Sequence, residues 1–569
     1  MEVIHSKNNF YKILKKNLLL FLLFSFSFCQ SKKNNKESLM LPTLIQFIEC
    51  ELKADYKLDS TEYQIWTFEN TSEKIRRLNT CVNVPTEKEI FLTFTNFDTA
   101  KEQTLKQNHS SLIHENRHPE FIENFNPLPL LKARSSLVRN PVWSATNGNI
   151  GTVNVTTFAW KTNNSPTPSG LSCFLPQAYD PVQTTLRGIR SLPSGRVLRV
   201  WVADSDWDGL DPNLNGKLHP QKVNAILDAF YKPNSNLNIY EKVQNLTGSS
   251  EWGEHSYSTL LPANFPYLDL VYYDINCDNV LGGTVGFFFS GNNFLYSVAP
   301  YSNESLVLFL DSKFYSTREG STWEVTDKLP SFSINTVAHE LQHMIHFYQK
   351  SVLKKSNSST WFNEMMSMAI EDAMASYTLG SSNNLIYSSN QGLGRFVRNN
   401  DCPLVLWESN ISGCDIILNY AHVYSYSAFL LRNYGVNLIS VILQNSEVDH
   451  RALDLALKQK GSSFSESFGK FGASFVVNPK KGSFPAGYSF PAFEDPSFFG
   501  SGNSLSLPEG DPYIFIQPPK IYDALPEKIL PTSNLILHWK KKFSGSLQED
   551  LYLPPKTRVT IVIGTDPRN

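Results

Sequence analysis

Two stretches of the chain place histidine and glutamate in the order His-Glu-x-x-His: HENRH at residues 114–118 and HELQH at residues 339–343. On a helix, residues four apart share one face, so both imidazoles can reach a single zinc ion. The glutamate beside the first histidine then lies next to the water that the metal activates and can take its proton. That chemistry needs a helix, so the surroundings decide between the two. HENRH fails the requirement. Pro119 follows at once and disfavours helical geometry at His118, and KQNHSSLIHENRHPEF shows no sustained apolar face. No glutamate lies 18–21 residues beyond His118 to complete a site, and the stretch reads as a solvated loop.

HELQH passes. The segment SINTVAHELQHMIHFYQK contains neither proline nor glycine, and Ile334, Val337, Ala338, Leu341 and Ile345 form one apolar stripe at helical spacing. His339 and His343 lie together on the other side, with Glu340 placed as the base. A third ligand follows in WFNEMMSMAIED (361–372), where Glu364 stands 21 residues past His343. Its neighbours Met365, Met366, Met368, Ala369 and Ile370 make that helix apolar nearly all round. A carboxylate buried there is costly unless a cation pairs with it. Two histidines and a glutamate leave a fourth coordination position open, the arrangement of a catalytic rather than a structural zinc site. His346 falls about 10 Å along the helix from His339, too far to share the ion, and reads as a supporting or surface residue.

HExxH followed about 20 residues later by N-E-x-x-S resembles the gluzincin metallopeptidases, the thermolysin-like group. More narrowly, residues 195–480 resemble the hyicolysin-type bacterial neutral metallopeptidases. The matching features are VWVAD, LDLVYYDI with GGTVGFFF, LVLFLDSK, TVAHELQHMI, WFNEMMS and SSFSESFGKFGASFVV. The resemblance implies an α+β, thermolysin-like catalytic domain, with the active-site helix under a β-sheet and a helical lower half. It also implies zinc held by His339, His343 and Glu364, with Glu340 as general base. Thermolysin carries an aspartate four residues after the ligand glutamate to orient a zinc histidine; here Met368 occupies that position, leaving Asn363 and Glu371 as candidates for the task. Hydrolysis also needs an oxyanion stabiliser, and NYAHVYSYSAFLLRNYG offers Tyr420, His422, Tyr424 and Tyr426. In gluzincin aminopeptidases a tyrosine opens a helix that ends about fifteen residues later at a glycine. Tyr420 and Gly435 reproduce that spacing, which favours Tyr420 and then His422. An ordinary tyrosine-rich buried helix explains the segment equally well.

A second cation is suggested by ADSDWDGLDPNLNG, where Asp204, Asp206 and Asp208 alternate before Gly209 like the start of a calcium loop. The position that should be a bidentate glutamate is Asn215, and an Asx-rich turn is the alternative reading.

The remaining sequence sets the context. Charged residues are 18% and aromatics 13%, a core-forming composition, and the net charge of −2 gives no reason to expect a nucleic-acid partner. MEVIHSKNNFYKILKK is followed by the apolar run Leu18–Phe28 and then Cys29, the layout of a bacterial lipoprotein signal apart from Phe28, which is large for its place. The run is too short to span a bilayer, so export and a lipid anchor at Cys29 are expected rather than a transmembrane helix. Six further cysteines (Cys50, Cys81, Cys173, Cys277, Cys402 and Cys414) suit an oxidising compartment; Cys402 with Cys414, and Cys50 with Cys81, are close enough in sequence to staple loops. Texture divides the chain into a signal (1–29), a β-rich region (30–190), the metallopeptidase domain (191–480) and a β-rich tail (481–569). The sequence thus predicts an exported zinc endopeptidase acting on proteins or peptides. An aminopeptidase of the same zinc class, or a surface-binding lipoprotein on an inactive protease fold, are the rivals.

Overall fold

The computed structural model describes residues 53–57, 64–105, 157–161, 181–275, 284–378, 400–407, 411, 413–477, 487–500, 503–510 and 519–565. HENRH and Cys29 lie outside these residues. The described part belongs to one compact unit, Cys50–Asn569.

Three short runs of aliphatic and aromatic residues build the central sheet. Val197–Ala203, Tyr267–Tyr273 and Val307–Asp311 pair in parallel, and each is buried on both faces, as parallel strands usually are. Antiparallel strands extend the sheet on either side: Pro181–Ser191 and Thr157–Lys161 on one, Gly286–Phe288 on the other. Alternate side chains go to opposite faces. Leu198, Val200, Leu270 and Leu308 join a core with helices Pro220–Phe230 and Ile239–Thr247 and the HELQH helix. Trp201, Val271, Tyr273 and Phe309 face away and enclose Trp160.

The helix carrying HELQH runs Lys328–His346 and continues as a turn of π-helix through Leu353. Pro330 is tolerated because it sits in the first turn, where its missing N–H removes no helical bond. The stripe predicted from sequence is buried, but so is the opposite side, so this is a helix enclosed all round rather than one with a wet face. Against it packs Thr360–Thr378, the ligand helix with Glu364, which in turn packs on Ile416–Tyr434, the tyrosine-rich helix.

The two β-rich flanks are not separate. Strands Gln64–Asn70 and Val82–Asn96 from the N-terminal side clasp Thr557–Gly564 between them, and Ser533–Leu547 pairs with Val82–Asn96 from its other edge. Residues 30–190 and 481–569 therefore contribute to one six-stranded sheet with its own core around Leu92, Phe94, Leu535 and Ile561. Helix Phe464–Ala473 lies against this sheet with glycines at the contact; a Cβ on Gly472 would stand 2.1 Å from Asn534 Oδ1. Cys402 and Cys414 form the expected disulfide, and Cys81 is also disulfide-bonded. No described helix is long and apolar enough to cross a membrane.

Candidate metal centre

His339 and His343 project from consecutive turns of one helix and meet Glu364, four residues into the next. One ligand atom from each lies within 4.8 Å of the other two, the only such set of three among the described residues. Both imidazole Nε2 atoms face the same carboxylate oxygen, Glu364 Oε2, at 3.1 Å from His339 and 3.5 Å from His343. Three donors, two neutral nitrogens and an anionic oxygen when deprotonated, converge on one point, which is the donor set zinc takes in catalytic sites. Glu340 is buried beside them, and its Oε2 has no protein partner among the described residues. Such an orphaned buried carboxylate oxygen is costly unless something outside the chain meets it, and the donors present fit a metal with a water at its open position.

Charges respond accordingly. Burial alone would raise the Glu364 pKa, but His343 and His339 outweigh it and hold the carboxylate well below its usual range. Burial works against the charged imidazoles, yet Glu364 lifts both, His339 furthest, because Glu371 adds to it. Burial raises Glu340, with the two histidines only partly offsetting it.

The candidate that stands beside His339 is Glu371. Its Oε1 lies 2.8 Å from His339 Nδ1, off the straight N–H direction, two turns along the ligand helix from Glu364. Asn363, the other candidate for that task, does not perform it; its Oδ1 is buried with no partner among the described residues. Met368 packs against the core. His346 is neither ligand nor surface residue. It is buried, with Nδ1 3.3 Å from Gln342 Nε2 and Nε2 2.8 Å from Ser358 Oγ. Ser367 Oγ stands 3.1 Å from His343 Nδ1 and donates to Gln342 Oε1. Ser367 and Gln342 were not singled out by the sequence reading. The signal was present in N-E-x-x-S and in the variable pair of HELQH, but it becomes legible only once the two helices are known to face each other.

The oxyanion candidates separate. His422 is fully enclosed, its ring beside those of Phe468 and Phe471 at centroid distances of 6.0 and 6.1 Å, and burial pushes its pKa down to about 3. Tyr424 donates to Asp372 Oδ1 at 3.1 Å and Tyr426 meets Ser467 Oγ at 2.7 Å; both are packing residues. Tyr420 is half-buried, its ring edge-on to Trp407 at 4.9 Å.

The three aspartates of the acidic loop do not assemble a calcium site. Asp204 accepts from Thr185 Oγ1 at 2.6 Å, and Asp208 caps the backbone N–H groups of Leu210 and Asp211. Asp206 is taken by Ser312 Oγ at 2.7 Å and by the Lys313 ammonium at 3.2 Å. The cation in this loop is supplied by the chain: Lys222 Nζ donates to the carbonyls of Leu214, Lys217 and Ser316 at 2.9–3.1 Å.

No curated protein matches the chain. Residues 180–563 match the family Peptidase M30, a span that begins at the strand Pro181–Ser191 of the central sheet and runs into the strand Thr557–Gly564. The C-terminal strands are thus part of what the family shares, beyond the stretch that carried the resemblance in the sequence. That span is more than half of the 569 residues, and the chain belongs to the Peptidase M30 family and is a peptidase.

Proposed function

We propose that the protein is an exported zinc-dependent endopeptidase of the gluzincin type, with zinc held by His339, His343 and Glu364. The observation that carries this reading is the convergence of those three donors beside the unpartnered Glu340 oxygen. Zinc bound there would supply Lewis-acid polarisation of the scissile carbonyl and of the attacking water. Glu340 takes the proton of that water and delivers it to the leaving amine. Its burial raises its pKa and so makes it a better proton acceptor than an exposed glutamate. Glu371 holds the His339 ring so that Nε2 faces the other ligands.

An extended peptide has a place to bind. Gly286–Phe288 is the edge strand of the central sheet and packs on the motif helix, where a Cβ on Gly286 would stand 3.0 Å from Thr336 Cγ2, one turn before His339. A peptide added to that edge would pair through its backbone, which suits cleavage inside a chain. For the oxyanion the reading keeps Tyr420, whose ring is partly exposed, and drops His422, which is sealed among phenylalanines. Export and a lipid anchor at Cys29 belong to the same reading; the Cys402–Cys414 disulfide supports an oxidising compartment.

The test is zinc content and cleavage of an N-terminally blocked, internally quenched peptide by the purified protein. Wild type and a His114→Ala/His118→Ala variant should each bind one zinc and cleave, and His343→Ala should do neither. Tyr420→Phe should keep zinc and lose most of kcat. Cleavage confined to peptides with a free N-terminus would favour an aminopeptidase, and zinc without any cleavage would favour a binding protein.

A further inference from the structure

The turn that joins the two ligand-bearing helices, residues 354–359, reads KKSNSS and has no apolar side chain to anchor it in the core. It is nonetheless gripped on both sides by one short stretch of chain, residues 442–449. On the motif-helix side the fully buried Lys350 Nζ donates to the carbonyls of Ile442, Asn445 and Glu447 at 2.6, 2.9 and 2.7 Å, enough for all three of its hydrogens. On the ligand-helix side Asp449 Oδ1 accepts from the Ser359 N–H at 2.9 Å and Oδ2 from the Ser359 hydroxyl at 2.8 Å. Ser359 stands where the helix begins, since its carbonyl accepts from the N–H groups of Phe362 and Asn363. The first turn of Thr360–Thr378 carries no acidic residue of its own, so Asp449 supplies the negative charge that a helix N-terminus favours. Asp449 does this from φ +57°, a left-handed backbone that side chains adopt rarely and aspartate more readily than most.

We propose that Lys350 and Asp449 are positioning residues, which together fix the spacing between the helix that carries His339 and His343 and the start of the helix that carries Glu364. The proposal rests on the metal-centre reading above. Lys350 lies seven residues past His343 and Ser359 five before Glu364, so the two grips bracket the segment across which the donors are held together. From inside, the turn meets His346, whose Nε2 is 2.8 Å from Ser358 Oγ; the helix start itself is left to Asp449. A helix end without a cap frays over its first turn, and Glu364 follows directly on that turn. Fraying there would let the carboxylate drift from the two imidazoles while the core between the helices, which includes Phe362 and Met365, stays packed. Loss of the Asp449 carboxylate is therefore felt first at the metal centre, unlike loss of a residue that only stabilises the fold.

The experiment uses the full chain with zinc and cobalt(II) as probes. Zinc dissociation constants come from chelator competition, and the visible absorption of bound cobalt reports the arrangement of the donors. Asp449→Ala should weaken zinc about five- to tenfold and alter the cobalt spectrum, with the circular dichroism of the metal-free protein unchanged. Asp449→Asn keeps an acceptor for the Ser359 N–H and a side chain suited to positive φ, and should recover most of the affinity. Asp449→Gly frees the backbone but lacks the carboxylate, and should match the alanine variant. Lys350→Met leaves three carbonyls without a donor and costs fold stability as well, so the Asp449 series decides. An Asp449→Ala protein with the parent's cobalt spectrum and a zinc constant within about twofold of the parent's overturns this proposal alone. An Asp449→Gly protein that binds zinc like the parent does the same. A parent protein that binds neither metal sinks the metal-centre reading, and this proposal with it.

Discussion

Glu371 and the two histidines show how far single residues could be read from the sequence. The cluster of His339, His343 and Glu364 was legible because helical spacing forces the two histidines to one face and because a carboxylate on an apolar helix calls for a positive partner. Glu371 was legible only as one of two candidates, since the sequence does not say which face of the ligand helix meets His339. Truncating it should show its work: Glu371→Ala should weaken zinc by about 10–100-fold while leaving the metal-free fold intact, as read by chelator competition and circular dichroism. Protons should follow the metal. In the metal-free protein burial lowers the pKa of His339 and His343, but Glu364 outweighs it and raises both, so any protonated fraction must lose its proton to ligate. Zinc affinity should therefore climb as pH rises above about 6.5, and zinc binding at neutral pH should release protons, measured as a calorimetric heat that changes with the buffer's ionisation enthalpy. A heat independent of buffer contradicts the charge pattern. The same shifts set the stability of the metal-free protein. The histidine contribution is complete below about 6.5 and is lost as pH rises through the raised values; that of Glu364 is present above about 4.3 and is lost as pH falls through its depressed value.

Helices and loops were legible when their own residues determine them. The motif and ligand helices run close to the predicted spans, the first starting earlier through Pro330. The acidic loop was ambiguous in the sequence because alternating aspartates look the same whether they bind an ion or cap a turn. What distinguishes the cases is Lys222 and Lys313, which reach the loop from the helix after it and from the short helix Ser312–Ser316 that follows a strand of the central sheet. Lys222→Met should strand three carbonyls that the ammonium now satisfies and cost about 2–4 kcal/mol of stability. Calcium or a calcium-selective chelator should leave the thermal midpoint where it is. A rise of several degrees on adding calcium would restore the ion to the loop.

For the whole molecule, sequence texture showed several of the strands but not which of them pair. The runs around YQIWTF, EIFLTFTNF, NLILHW and TRVTIVIG were each readable as strands, yet Thr557 pairs with both Asn70 and Asn96. Pairing over such separations leaves no periodic trace in the sequence, so one sheet looked like two flanking regions. We therefore predict that residues 191–480 will not fold alone: ending the chain near 480 removes the strand at the middle of the flanking sheet and should yield insoluble protein. A milder probe is Gly472→Ala. Its Cβ would press on Asn534, which is fixed in turn by Thr95 Oγ1 at 2.6 Å, and we expect a loss of about 1–3 kcal/mol in denaturant unfolding.

The central claim is that Glu340 handles the proton beside a metal held by His339, His343 and Glu364. The most direct test is Glu340→Gln, which keeps size and removes the base. The account predicts one zinc per chain with the parent's affinity, and cleavage of the quenched peptide reduced by at least about a hundredfold in kcat. A Glu340→Gln protein that retains zinc and still cleaves at the parent's rate contradicts it.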